Sequence, residues 1–255
     1  MILTDTHTHL YSKEFDKDRK EAIQNAIDHH ITRFFIPAID SSHTSSMYDL
    51  EKSFPDNIFL MMGLHPTSVK ENFEEELRHI EEQFATRDFY AVGETGIDLY
   101  WDKSFLKQQQ EAFRFQIQLA KKKRLPVVIH CRDAFDEIFE VLETEKDQDL
   151  FGIFHCFTGN HEQAQTAMSF NMKLGIGGVV TFKNGGIDKF LDEIPIENIV
   201  LETDSPYLAP VPYRGKRNES TYLEIIAQKI ADIYNLSIED VAKITTQTSR
   251  NVFKV

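Results

Sequence analysis

Short apolar runs, rich in β-branched and aromatic residues, alternate along the chain with longer segments in which apolar positions recur every three to four residues. The runs ILTDTH, RFFIPAI, IFLMMGLH, FYAVGET, PVVIH, FGIFHC, MKLGIGG and NIVLETD begin at residues 2, 33, 58, 89, 126, 151, 172 and 198. Consecutive starts lie 21 to 37 residues apart, about the length of one strand-plus-helix unit. The intervening segments read as amphipathic helices. Ala22, Ile23, Ala26 and Ile27 mark one apolar face in the first connection, and Phe135, Ile138, Phe139 and Leu142 mark another in the fifth. Strands that alternate with helices predict a parallel sheet. Periodicity alone fits an open, doubly wound sheet as well as a closed barrel. Eight units in 255 residues, with no glycine-rich phosphate loop after the first run, favour one α/β domain over 1–255, a single (β/α)₈ TIM barrel. Two helices are expected to finish the chain, the second started by Ser237 with Asp240 three residues on.

The ends of these runs carry the candidate chemistry. In an extended chain, residues two apart point to the same side, so His7 and His9 project together from the end of the first strand, with Asp5 on that side as well. Two converging imidazoles suit a borderline-soft divalent ion. By itself the pair is equally consistent with incidental histidines. Glu94, His130 and His155 lie at the ends of the fourth, fifth and sixth runs, and Asp204 closes the eighth. A barrel brings the C-terminal ends of its strands to one mouth, which makes neighbours of residues far apart in sequence. Six ligands exceed the need of one tetrahedral ion with an open position and suit two divalent ions sharing a carboxylate, for which Glu94 is the natural bridge. Nitrogen-rich ligation favours Zn, Mn, Fe or Co on softness. Asp204 is the candidate proton acceptor. By strand alternation Cys131 and Cys156 are expected to face the helices. His29, His30, His43, His79 and His161 read as surface or structural, whereas His65 closes the third run and reaches the mouth as a candidate substrate contact.

Charge and cysteine content narrow the partners. There are 41 acidic against 28 basic residues, a formal charge of −13, so a polyanion has to be met by a local basic patch or by bound metal. The loop after the eighth strand offers Arg214, Lys216 and Arg217, with Arg132 after the fifth strand and Lys183 after the seventh. Tyr207 and Tyr213 are candidates for stacking on a base. Two cysteines exclude a disulfide framework and fit a reducing compartment. No apolar run is long enough to span a bilayer and no leader precedes Asp5, so a soluble, cytoplasmic, monomeric protein is expected.

DTHTHL, GLHP, VGETGIDLYW, VIHCRDA, FHCFTGN, GIGG and LETDSPYLAP followed by RGKRNES resemble the TatD family of metal-dependent deoxyribonucleases, within the wider amidohydrolase-like barrels. The motifs run in family order from end to end. Departures are small: GETGIDLY stands where members often read GEIGLDY, and the first motif is commonly DSHCH or DTHCH. The resemblance implies a divalent metal centre on His7, His9, Glu94, His130, His155 and Asp204, with cleavage of single-stranded DNA, often from the 3′ end. Some relatives instead hydrolyse aminoacyl-tRNA esters. Three rivals stand beside this reading: an ester or amide hydrolase, since a metal pair also polarises carbonyls; a three-ion phosphoesterase; and a catalytically silent barrel.

Overall fold

The structure, a computed structural model, describes residues 1–255. The apolar runs form eight strands: β1 Leu3–Asp5, β2 Ile31–Ile36, β3 Ile58–Leu60, β4 Val92–Asp98, β5 Val127–Arg132, β6 Gly152–Phe154, β7 Met172–Ile176 and β8 Ile199–Leu201. Six helices follow the first six strands: α1 Arg19–Asp28, α2 Thr44–Ser53, α3 Phe73–Thr86, α4 Leu106–Lys123, α5 Phe135–Glu145 and α6 His161–Ser169. After β8 come α7 Leu223–Tyr234 and α8 Ile238–Phe253.

All strand pairs are parallel, in the orders β1-β2-β3 and β4-β5-β6-β7-β8. Backbone hydrogen bonds cross both remaining seams. Between β3 and β4 the Tyr90 amide donates to the Leu60 carbonyl at 3.0 Å and the Met62 amide to Ala91 at 3.2 Å. Between β8 and β1 the Thr6 amide reaches the Leu201 carbonyl at 3.0 Å. The result is the α/β barrel that the count of eight units favours.

Residues two apart divide the apolar content into two layers. Phe35, Met61, Ala91, Val128, Ile153 and Val200 come from six different strand regions and pack inside the barrel with Val252 and Phe253 of α8. The Phe253 ring stacks on Phe35 at 3.7 Å, so the last helix plugs the end opposite the mouth. The larger cluster, which includes Leu3, Phe34, Ile129, Phe154 and Leu201, lies between strands and helices. Ile23 and Ala26 of α1 and Ile138 and Leu142 of α5 join it.

The seventh connection differs from the expected helix. Four 3-10 turns, Gly178–Thr181, Ile187–Lys189, Leu191–Glu193 and Ile196–Asn198, replace it. The segment carries Gly185, Gly186 and Pro195. Gly186 sits at φ 76°, in the left-handed region, and proline lacks the amide a helix interior needs. α8 starts as expected, with the Ser237 hydroxyl accepting from the Asp240 amide at 3.1 Å. No helix is long and apolar enough to cross a membrane.

Candidate metal centre

His7 and His9 lie beyond the end of β1, in a segment held by bonds to its neighbours rather than by strand pairing of its own. The Thr8 amide donates to the Phe35 carbonyl at 3.1 Å, the His9 amide to Ser205 at 2.7 Å and the Asp204 amide to His7 at 2.9 Å. The Thr8 and Ser205 hydroxyls meet at 2.6 Å. These contacts lock the first-strand histidines to the loop that carries Asp204. His130 and His155 reach the mouth by continuing the inward alternation of Val128 and Ile153.

Asp5 corrects the expectation that it shares the mouth side. It has the parity of Leu3, which belongs to the outer layer, and is fully buried. Its carboxyl accepts from the Thr203 amide at 2.9 Å, the Thr203 hydroxyl at 2.6 Å and the Ser220 hydroxyl at 2.7 Å. Burial, partly countered by these bonds, pushes it up to about 7. Asp5 therefore braces the loop before Asp204 and stays outside the histidine cluster.

Glu94 is the hub. Its side chain is 2 % exposed, and its two oxygens face different imidazoles. Oε2 lies 3.1 Å from His7 Nε2 and 3.6 Å from His9 Nε2. Oε1 lies 2.8 Å from His155 Nε2, 2.9 Å from His130 Nδ1 and 3.2 Å from His65 Nε2. Asp204 Oδ1 completes the other side at 3.5 Å from His9 Nε2 and 3.9 Å from His7 Nε2. Three groups of donor atoms are compact enough to hold an ion: His7 with His9 and Glu94, His7 with His155 and Asp204, and His65 with Glu94 and His130. All six candidate ligands are thus brought together. His65, expected as a substrate contact, stands closer to the ligand set than that role requires.

Electrostatics follow from burial opposed by pairing. Burial pushes Glu94 up, but the facing imidazoles of His155, His65 and His7 and the bond from His130 outweigh it and hold the carboxyl well below the usual range. Asp204 is also lowered, since burial is overcome by the bond from His9 and by His155 and His7. Both carboxylates are charged at neutral pH. Burial and the neighbouring His155 lower His7.

Residues absent from the sequence reading support the imidazoles from behind. His130 presents Nδ1 to Glu94 while its Nε2 bonds Asp98 at 2.9 Å. Burial lowers His130, and the bonds to Asp98 and Glu94 reverse that into a net rise. His155 presents Nε2 to Glu94, and its Nδ1 lies 3.5 Å from Glu202. His9 Nδ1 meets the Tyr11 hydroxyl at 3.1 Å. Such backing carboxylates and hydroxyls orient metal-binding imidazoles and fix which nitrogen is free to ligate. Glu202 was legible as the residue two before Asp204, with the inward parity of Val200. Gly175 makes room for it, because a Cβ there would lie 2.2 Å from Glu202 Oε2.

The mouth opens into a cavity of about 850 Å³ bordered by Glu94, His130 and Asp204 and, at the rim, Arg132, Arg214 and Lys216, a size suited to a small ligand or part of a polymer. Tyr207, 48 % exposed, borders it too. Arg217 is a correction. Its guanidinium turns away, bonding both Asp18 oxygens at 2.6 and 2.7 Å and Glu219 at 2.9 Å, over the Phe15 ring. Two acids satisfy its fork, so it clamps the loop to the start of α1. Tyr213 stacks on Tyr222 at 4.3 Å and is used in packing. Cys131 packs partly against the core as expected, although it too touches the edge of the mouth cavity. Cys156 does not: it lies past the end of β6 at φ 43°, where alternation no longer applies, and borders the mouth cavity. Neither cysteine joins a candidate ion cluster.

The description "TatD related DNase" matches residues 4–254. The chain is 38% identical to the "Uncharacterized metal-dependent hydrolase YabD" of Bacillus subtilis, over the full length of both. It is 30% identical to the "3'-5' ssDNA/RNA exonuclease TatD" of Yersinia pseudotuberculosis, across 98% of this chain and 99% of that protein. The crystal structure of YJJV, a TatD homologue from Escherichia coli, superposes with a TM-score of 0.93 at 23% identity over 99% and 98% of the two chains. With the family signature spanning nearly every residue and a relative matched end to end, the chain belongs to the TatD related DNase family and is a metal-dependent hydrolase.

Proposed function

We propose that the ester bonds this hydrolase cleaves are phosphodiesters of single-stranded DNA, removed from the 3′ end, at a centre of two divalent ions held by His7, His9, Glu94, His130, His155 and Asp204. The observation that carries the reading is the division of Glu94, with Oε2 facing one pair of imidazoles and Oε1 facing another set. A carboxylate so flanked is a seat for two cations, and the backing of His130 by Asp98 and His9 by Tyr11 fits that use. Divalent ions there supply Lewis acidity toward water and toward phosphoryl oxygens.

The chain's own groups do the rest. Asp204 is charged at neutral pH, and its side chain is 12 % exposed against 2 % for Glu94, so it is the carboxylate placed to take a proton from an attacking water. Arg132, Arg214 and Lys216 give the rim local positive charge on a chain whose net charge is −13; that contrast favours a phosphate-bearing substrate over a neutral amide. The name of the Yersinia relative favours the same substrate class.

The test is metal-free protein reconstituted separately with Zn, Mn, Mg, Fe or Co and assayed on 3′-labelled single-stranded DNA, on RNA and on aminoacyl-tRNA. Metal-dependent release of the 3′ label from DNA is the expected result. Turnover of aminoacyl-tRNA with none on DNA would transfer the site to ester hydrolysis, and no turnover with any ion would leave a silent barrel.

A further inference from the structure

Trp101 is the most exposed of the large apolar side chains, at 69 %, and Tyr100 beside it is 55 % exposed. An exposed tryptophan on a monomer surface is costly in apolar area and concentrates at places that bind something. Trp101 borders the same cavity as Glu94, His130 and Asp204. Its position is built rather than loose. The Tyr100 and Trp101 amides both donate to Asp98 Oδ1, at 3.0 and 3.2 Å, while Asp98 Oδ2 holds His130. Further along the same turn, Asp102 accepts from the Ser104 amide at 2.8 Å and meets Lys70 at 3.3 Å. The Arg132 guanidinium lies 3.8 Å over the Tyr100 ring and 5.4 Å from the Trp101 centroid, and the two aromatic rings meet edge to face at 4.9 Å.

We propose that Trp101, backed by Tyr100 and Arg132, is the platform on which an unpaired base of the substrate stacks beside the candidate metal centre. The inference rests on the nucleic-acid reading given above and deepens it. Every base has a π-face, so such a platform accepts any of them, but only when the base is free of its partner strand. One carboxylate, Asp98, fixes both the platform's backbone and the His130 ring, so a stacked base is held in register with the reacting phosphate. Arg132 serves both ends, closing one face of Tyr100 and offering charge to the backbone of the strand. Because the loop is already fastened, little ordering is required when the base arrives.

The chain has one tryptophan, so its intrinsic fluorescence reads this position alone. The probe is a cleavage-resistant phosphorothioate oligodeoxynucleotide added to the metal-loaded enzyme, compared with an abasic strand of equal length. Quenching by the first and not by the second is expected. In steady-state hydrolysis of the unmodified strand, Trp101→Ala should raise KM about 5- to 150-fold, the range base–aromatic stacking carries, with a smaller change in kcat, and Trp101→Phe should restore most of it. The KM ratio between abasic and base-bearing substrates should fall toward one in Trp101→Ala. Unchanged fluorescence at saturating strand, with hydrolysis of single-stranded DNA intact, overturns the platform and leaves the proposed function standing. Absence of nucleic-acid hydrolysis by the metal-loaded enzyme overturns that function and the platform together.

Discussion

Asp98→Asn is the substitution whose consequences follow most directly from the geometry. Asp98 is 2 % exposed and divides its oxygens, Oδ1 accepting from the Tyr100 and Trp101 amides and Oδ2 bonded to His130 Nε2 at 2.9 Å. With the carboxylate as acceptor, His130 carries its proton on Nε2 and leaves Nδ1, 2.9 Å from Glu94, free to ligate. Asparagine has two ways to sit, and both fail. If its oxygen keeps the two amides, its NH₂ faces Nε2 and makes that nitrogen an acceptor, which moves the proton to Nδ1 and into the ligand position. If the amide flips, NH₂ opposes the Tyr100 and Trp101 amides, and both part-buried donors lose their acceptor. Loss of a backing carboxylate typically lowers metal affinity 10- to 100-fold, or about 1.4–2.7 kcal/mol. Competition of the purified variant against a chromogenic chelator measures this, with thermal unfolding of the metal-free protein as control. Wild-type affinity in a folded Asp98→Asn protein would refute the reasoning, because it would mean His130 either does not ligate or does so through its other nitrogen.

Three further outcomes are expected. Alanine at Arg214 and at Lys216 should each lower the log–log salt slope of single-stranded DNA binding by about 0.7, measured by titration across ionic strengths; an unchanged slope removes the rim from phosphate docking. Arg217→Ala should leave that slope alone and cost about 1 kcal/mol of stability or less, as a partly exposed clamp does. The Asp18 carboxyl is lowered by its bond from Arg217, so the clamp's contribution is present above the ordinary aspartate range and fades as pH falls through the lowered value; urea unfolding at several pH values should show the gap between wild type and variant closing in acid. Asp204→Asn should lower kcat in single-turnover kinetics at saturating substrate far more than it weakens substrate binding, and a variant retaining most of its rate would remove Asp204 from the chemistry.

The sequence made the strand ends legible because burial imposes a period of two. Val128 and Ile153 point inward, so His130 and His155 follow, and the same rule was available for Glu202 two residues after Val200. The rule failed where strands end early. β1 stops at Asp5, and the segment His7-Thr8-His9 is placed by bonds to Phe35, Ser205 and Asp204, the last two far away in sequence, which leave no local signal. Cys156 was misplaced for the same reason, lying beyond β6 with a backbone no strand adopts. Arg217 looked like its neighbours Arg214 and Lys216. Only the folded chain brings Asp18 to it and separates a structural clamp from the rim charges. The replacement of the seventh helix was foreshadowed by Gly185, Gly186 and Pro195, yet the short apolar spacing there does not distinguish 3-10 turns from one helical face.

The central claim is that Glu94 bridges two ions, and anomalous diffraction from crystals soaked in Mn²⁺ tests it most directly. The account predicts two peaks, one among Glu94 Oε2, His7 and His9 and one among Glu94 Oε1, His130 and His155, separated by about 3.5–4 Å as in other two-ion sites. A map with no peak between these side chains, or with ions held elsewhere and Glu94 still bonded to its imidazoles, would contradict it.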